Sequence, residues 1–153
     1  MATFWRISNY ADLRGEGGRK ASSRWHTAGS RIVFLAESPA VAMLEMLVHM
    51  EFDVENLPDA FTLLRISAPD IAKIQAIDPS ENPDWRSQVE LTRKMGDAWL
   101  ATQETALARV PSAVVPHAWN FLLNPEHPDA KLVRVETAIR ERFDSRLLRF
   151  GAR

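Results

Sequence analysis

The chain contains no cysteine, which removes disulfides, thiolate catalysis and thiolate metal sites and fits a reducing compartment. It also lacks an excess of either charge: nineteen basic residues face twenty acidic ones, for a net charge of −1. There is therefore no electrostatic ground for a polyanion as the main partner, and direct nucleic-acid binding is not expected. No apolar run approaches the roughly 20 residues needed to span a bilayer, and the opening MATFWRISNY has no basic segment followed by an apolar stretch. The expectation is a cytoplasmic protein without a membrane segment. The four histidines, His26, His49, His117 and His127, show no short metal-ligand spacing, so no metal is expected. Gly15, Gly17 and Gly18 do not follow a strand in either the Walker or the Rossmann pattern, and kinase and dehydrogenase readings fall away.

What is present suits one globular domain over residues 1–153, with 46% apolar and 25% charged residues. Thr3–Ile7 reads as a short strand, Ser8–Ser23 as a polar loop, and Arg31–Ala36 as a second strand. Ser38-Pro39 then supplies an N-cap hydroxyl and a proline at the first helical position, so the spacing predicts a helix over Pro39–Met50. Phe61–Ser67 and Ile71–Ile77 are predicted strands, separated by Ala68-Pro69-Asp70. Ser87–Thr102 has helical periodicity, with Gly96 predicted to interrupt it into two short helices. Ala106–Val110, Ala113–Val115 and Lys131–Ile139 return to strand patterns. No linker or repeat divides the chain, so the fold class is α+β, a single compact domain. Topology does not follow from this pattern.

Glu45 is the most informative residue, because it is the only acid in PAVAMLEMLVHM, a run expected to be buried on most sides. A carboxylate in such a place is protonated, paired with a cation, or positioned for chemistry. On an ideal helix it lies beside Val41, Leu44 and Val48 and one turn before His49. Pairing and chemistry both remain open at this point.

Arg24-Trp25 follows the glycine-bearing loop, and an arginine there suits phosphate because its guanidinium donates paired hydrogen bonds. Arg6 in the first strand is a second candidate whose alternation with Trp5 and Ile7 leaves its facing open. Ser112, in VPSAVVP, satisfies backbone groups at a bend or holds a substrate oxygen; it lacks the setting of a nucleophile elbow. In NFLLNPEHP, Asn120–Pro128, turn chemistry accounts for both asparagines and both prolines.

Taken in order, Arg24-Trp25, the strand-to-helix unit Phe34–Glu45 ending in AMLEMLVH, PSAVVP and NFLLNPEHP strongly resemble the RES-domain family, named for its Arg, Glu and Ser. The likeness runs from Phe4-Trp5-Arg6 to about Val135. The resemblance implies a mixed or antiparallel β core similar to ADP-ribosyltransferases. It also implies a toxin of a bacterial toxin–antitoxin pair that destroys NAD, with NAD as substrate and no cofactor. The implied partner is a helix-turn-helix Xre-type antitoxin. Carried over by motif, the catalytic triad falls on Arg24, Glu45 and Ser112, and the substrate-binding candidates are Arg6, Phe34 and Asn120. Phe34 stands where family members carry a tyrosine, and His26 where relatives commonly carry an asparagine. Cleavage of the nicotinamide–ribose bond passes through an oxocarbenium-like ribosyl centre, which a carboxylate stabilises. Water, phosphate or a protein side chain could accept the ribosyl group; an inactive or weakly active NAD-binding subunit is the alternative to an enzyme.

Overall fold

A computed structural model describes residues 1–49 and 59–147. Among these residues, seven strands form one mixed sheet in the order β4-β5-β6-β2-β1-β3-β7. They are β1 (Ala2–Ile7), β2 (Val33–Ala36), β3 (Ala60–Ala68), β4 (Ile74–Ala76), β5 (Leu107–Pro111), β6 (Trp119–Leu123) and β7 (Arg134–Arg142). Only the edge pair β4–β5 is parallel; the other pairs are antiparallel. The helices are α1 (Gly17–Lys20), α2 (Pro39–His49) and α3 (Val89–Thr102). The single α+β domain with a mixed core is as the sequence predicts.

Alternation along the strands separates the two faces. One face carries Phe4, Val33, Leu35, Leu64, Ile66, Leu107 and Leu123 in a continuous apolar core. The other carries two smaller clusters. Trp25, Ile32, Trp85, Trp99, Ala108, Val110 and Leu122 pack around α3, whereas Ala36, Val41, Ala42 and Ala118 pack with Trp5 and Ile7 under α2. Along the segment leading into β2, Ile32 belongs to the first cluster and Ala36 to the second, and Phe34 lies between them. On the neighbouring β6, Leu122 and the preceding Ala118 divide the same way, and Asn120 lies between. The sheet thus has a seam on one face where neither cluster closes over it.

Several predicted elements are corrected. Helix α2 starts as expected, with Ser38 Oγ accepting from Val41 N at 3.1 Å, but only Val41 and Ala42 are buried while Leu44 and Val48 are exposed. It therefore buries one face rather than most sides; Met50 lies outside the described residues. Helix α3 is continuous through Gly96. The glycine allows contact: a Cβ there would stand 1.6 Å from the Trp25 carbonyl oxygen. Ala113–Val115 forms bends between β5 and β6 rather than a strand, and Ile71–Ile77 shortens to Ile74–Ala76. Asn120 belongs to strand β6, so turn chemistry explains only the later part of its motif, where Asn124 Oδ1 accepts from Glu126 N at 3.1 Å. The Ser8–Ser23 segment contains α1. Gly15, at φ +68°, sits where a Cβ would lie 2.7 Å from Ile32 N, which draws this segment against the start of β2.

Candidate active site

Glu45 projects from α2 to the seam and is 20% exposed. Its Oε1 accepts a hydrogen bond from Ser112 Oγ at 2.6 Å and another from Asn120 Nδ2 at 2.7 Å. Asn120 reaches it because β6 pairs with β2 and β5, placing Asn120 opposite both Ala36 and Val110. Ser112 follows directly after β5, where its N–H donates to Ala118 O at 2.9 Å and closes the β5–β6 loop. Two donors on one oxygen fix the carboxylate's plane and leave Oε2, which faces His49 Nε2 at 3.4 Å. The helical spacing that places His49 one turn after Glu45 is legible in the sequence; its approach to Oε2 is not.

The Ser112 hydroxyl is fully engaged. Its proton goes to Glu45, and its oxygen accepts from Val114 N at 3.1 Å and Val115 N at 3.0 Å. At 1% exposure it is built to hold a loop and a carboxylate together. The expected role at a bend is the one its backbone partners fill, and its proton goes to Glu45.

Arg24 approaches from the other side of the seam. Helix α3 grips its backbone: Thr92 Oγ1 donates to Arg24 O at 2.6 Å, Arg93 Nε to Ser23 O at 2.9 Å, and Gly96 packs on Trp25. Nη1 of Arg24 donates to Arg86 O at 2.9 Å. Burial lowers the Arg24 pKa from its ordinary value; the negative charge of Glu45 acts against that shift, and the positive charge of Arg86 adds to it. Arg24 and Glu45 therefore feel each other's charge, although no direct ion pair joins them among the described residues.

Phe34 is 38% exposed, on β2 opposite Leu122, and its ring lies 5.7 Å from that of His26. His26 is buried and ties two segments together: Nε2 donates to Gly18 O at 2.9 Å, and Nδ1 shares a 2.5 Å hydrogen bond with Ser23 Oγ. The residue at the asparagine position thus supports the backbone next to Arg24. Arg6 is the exception among the candidates. It pairs in register with Leu64 on the closed face, and its Nη1 donates to Asp12 O at 3.2 Å. Burial lowers its pKa, and the Asp12 charge opposes this. The structure brings Glu45, Ser112 and Asn120 into contact, sets Arg24 and Phe34 along the same seam, and leaves Arg6 on the opposite face.

A separate concavity of about 530 Å3 is lined by residues including Arg19, Thr27, Arg31, Asp97 and Glu126. Several of its charged groups are already engaged, since Asp97 accepts from Thr27 and both arginines pair with Glu16. The seam, with an oriented carboxylate and an exposed ring, has more unfilled chemical capacity. Among the described residues no group of acids and histidines is placed to hold a metal, and no helix is long and apolar enough to cross a membrane.

Residues 3–146 match the RES domain family. A Pseudomonas putida protein named Toxin Res is 48% identical over 132 residues, covering 86% of this chain and 90% of that protein. A Sphingobium protein named Prs ADP-ribosylating toxin is 35% identical over 158 residues, covering 96% and 97% respectively. The fold is similar to a chain in the crystal structure of the Mycobacterium tuberculosis MbcT–MbcA toxin–antitoxin complex, with a TM-score of 0.69 over 92% of this chain and 84% of that one, at 16% identity.

Proposed function

Because the chain belongs to the RES-domain family, we propose that it is the toxin of a bacterial toxin–antitoxin pair and cleaves the nicotinamide–ribose bond of NAD. The observation that carries this reading is the Glu45 carboxylate, fixed by Ser112 and Asn120 through one oxygen and facing only the exposed His49 ring with the other. Chemistry at the ribose carbon needs such a group. As the bond breaks, its electron pair leaves with nicotinamide, which departs neutral, and positive charge develops over the ribose carbon and ring oxygen. A carboxylate held in place before the reaction stabilises that charge without reorganising. Oε2, which carries no hydrogen bond from Ser112 or Asn120 and faces His49, is the oxygen suited to that role or to directing the ribose hydroxyls, and the exposed Phe34 ring offers a stacking face along the seam. Arg24 supplies positive charge for the pyrophosphate. Water or phosphate then donates a lone pair to the ribose carbon and loses a proton, giving ADP-ribose or its 1″-phosphate.

A helix-turn-helix antitoxin of the Xre type completes this proposal. Support for an antitoxin partner, though not for its type, comes from the structural relative, solved as a toxin–antitoxin complex. The second reading is transfer of ADP-ribose to a protein, favoured by the Sphingobium relative's name and its near full-length match. Purified protein incubated with NAD, with and without phosphate, separates the outcomes. We expect nicotinamide release accompanied by free ADP-ribose or its phosphate, and a fall of about 100-fold or more for Glu45→Gln. Label retained on a protein favours transfer, and release equal to that of Glu45→Gln rejects the enzymatic reading.

A further inference from the structure

Two dipeptides far apart in sequence mirror each other in space. Arg24-Trp25 and Trp85-Arg86 turn both indoles inward, each tryptophan 4% exposed, with ring centroids 6.3 Å apart at 41°. Burying the two rings against each other brings the flanking arginines together at the edge of the seam. Arg24 Nη1 donates to the Arg86 carbonyl oxygen at 2.9 Å, and the Arg86 guanidinium carbon stands 4.7 Å from the Trp85 ring centroid. The stacking limits the freedom of a side chain that would otherwise sweep through solvent.

This pair is electrostatically unfinished. Arg86 is close enough to disfavour the charged form of Arg24, and Glu45 is the one acid that acts on Arg24 in the opposite sense. Among the described residues the Arg86 guanidinium makes no ion pair and no hydrogen bond. Each guanidinium has five N–H donors, and Arg24 commits one of its own to a carbonyl. Adjacent like charges with unused donors are unfavourable alone and favourable around an anion with several oxygens.

We propose that Arg24 and Arg86 together form a two-arginine subsite for a diphosphate, with Arg86 binding the pyrophosphate of the dinucleotide. The assignment rests on the reading of the seam as an NAD-cleaving site. Two planar forks suit two linked phosphoryl groups, whereas one would suffice for a single phosphate. Stacking on Trp85 holds Arg86 ready before the ligand arrives, so less ordering is needed on binding. Arg86 carried no signal in the sequence, because its partner is created by the packing of two tryptophans.

The test uses the full chain and ADP as the probe, with binding followed by calorimetry, alongside NAD turnover. Arg86→Gln is expected to weaken ADP binding about tenfold, to raise KM for NAD more than it lowers kcat, and to reduce by a similar factor the preference for NAD over nicotinamide riboside, which has no phosphate. Arg86→Lys should recover only part of the loss, because a point charge lacks the fork. Unchanged ADP affinity and KM in Arg86→Gln would overturn the subsite while leaving NAD cleavage intact. An altered KM for inorganic phosphate with unchanged ADP binding would assign Arg86 to the acceptor and overturn the pyrophosphate role. ADP binding that depends on Arg86 in a protein that does not cleave NAD would keep the subsite and reject the proposed activity. A protein that neither binds ADP nor cleaves NAD would overturn both.

Discussion

The two faces of the sheet solve different problems with similar strands. On the closed face, Phe4, Leu64, Ile66, Leu107 and Leu123 are all at most 1% exposed and meet as one core. On the open face, α2 and α3 each cover their own cluster, and the strand positions between them hold Phe34 and Asn120. A continuous core maximises apolar burial and has no place for a carboxylate. A divided one gives up some burial along its seam, and there a polar group can be oriented without being sealed in. Glu45 is thus accommodated by a gap between two packing units rather than by a deep apolar pocket.

The largest effect should come from closing the contact that positions α3. Gly96→Ala places a Cβ 1.6 Å from the Trp25 carbonyl oxygen, a backbone atom, so the helix or the Arg24-Trp25 segment would have to move. We expect destabilisation above about 4 kcal/mol, or failure to fold, read by denaturant unfolding. A stable variant would show that α3 can shift away from Arg24-Trp25. On the closed face, Leu64→Ala removes a side chain with no exposure and should lower stability by about 3 kcal/mol. Its activity per folded molecule should match the parent's, measured as NAD turnover well below the melting temperature. A selective loss of turnover would mean that the two faces are coupled.

Gly96 has a role that its local sequence does not encode. A glycine in a helical pattern signals either a break or a close approach, and local sequence is the same for both; only the Trp25 backbone decides. The start of α2 was legible because Ser38-Pro39 acts on its own next turn, and the Val41 N–H to Ser38 bond is local. Glu45 stood out by composition alone. Its partners did not, since Ser112 and Asn120 lie 67 and 75 residues away and are brought in by strand pairing. Family likeness joined Ser112 to Glu45 as a triad, whereas Arg6 was a candidate from its place in the first strand alone. Alternation around Trp5 and Ile7 could place Arg6 on the other side from those two residues, but which side held the seam required the helices.

At the seam the balance between stability and function should invert. Ser112→Ala removes a donor to Glu45 and an acceptor for two backbone N–H groups. A loss of about 1–2 kcal/mol in stability is expected, less than for Leu64→Ala, but with a fall in NAD turnover of roughly tenfold or more, because Glu45 retains only Asn120 on Oε1. Thermal unfolding and turnover measured on the same preparation test this ordering. A variant that loses stability yet keeps full turnover would make Ser112 a loop fastener alone.

The smallest structural change probes the seam's open edge. Phe34 is 38% exposed, and its neighbours on β2 point their backbone groups into β6 pairing, so Phe34→Tyr adds a hydroxyl where water or substrate can satisfy it. Stability should move by less than about 0.5 kcal/mol. The equivalent change on the closed face, at Phe4, would bury an unpaired hydroxyl in a core position that is 1% exposed and would be costly for that reason. At Phe34 the new group exchanges its bond to water for one to substrate only if a polar ligand lies against the ring. One such bond, formed as the ribosyl centre develops, corresponds to roughly a 2–10-fold rise in kcat. A rise in kcat with unchanged stability would identify the seam as the place where substrate meets the protein; equal rates for the two side chains would mean that this position contributes its ring alone and that the hydrogen bonds to the reacting sugar come from Glu45 and its partners.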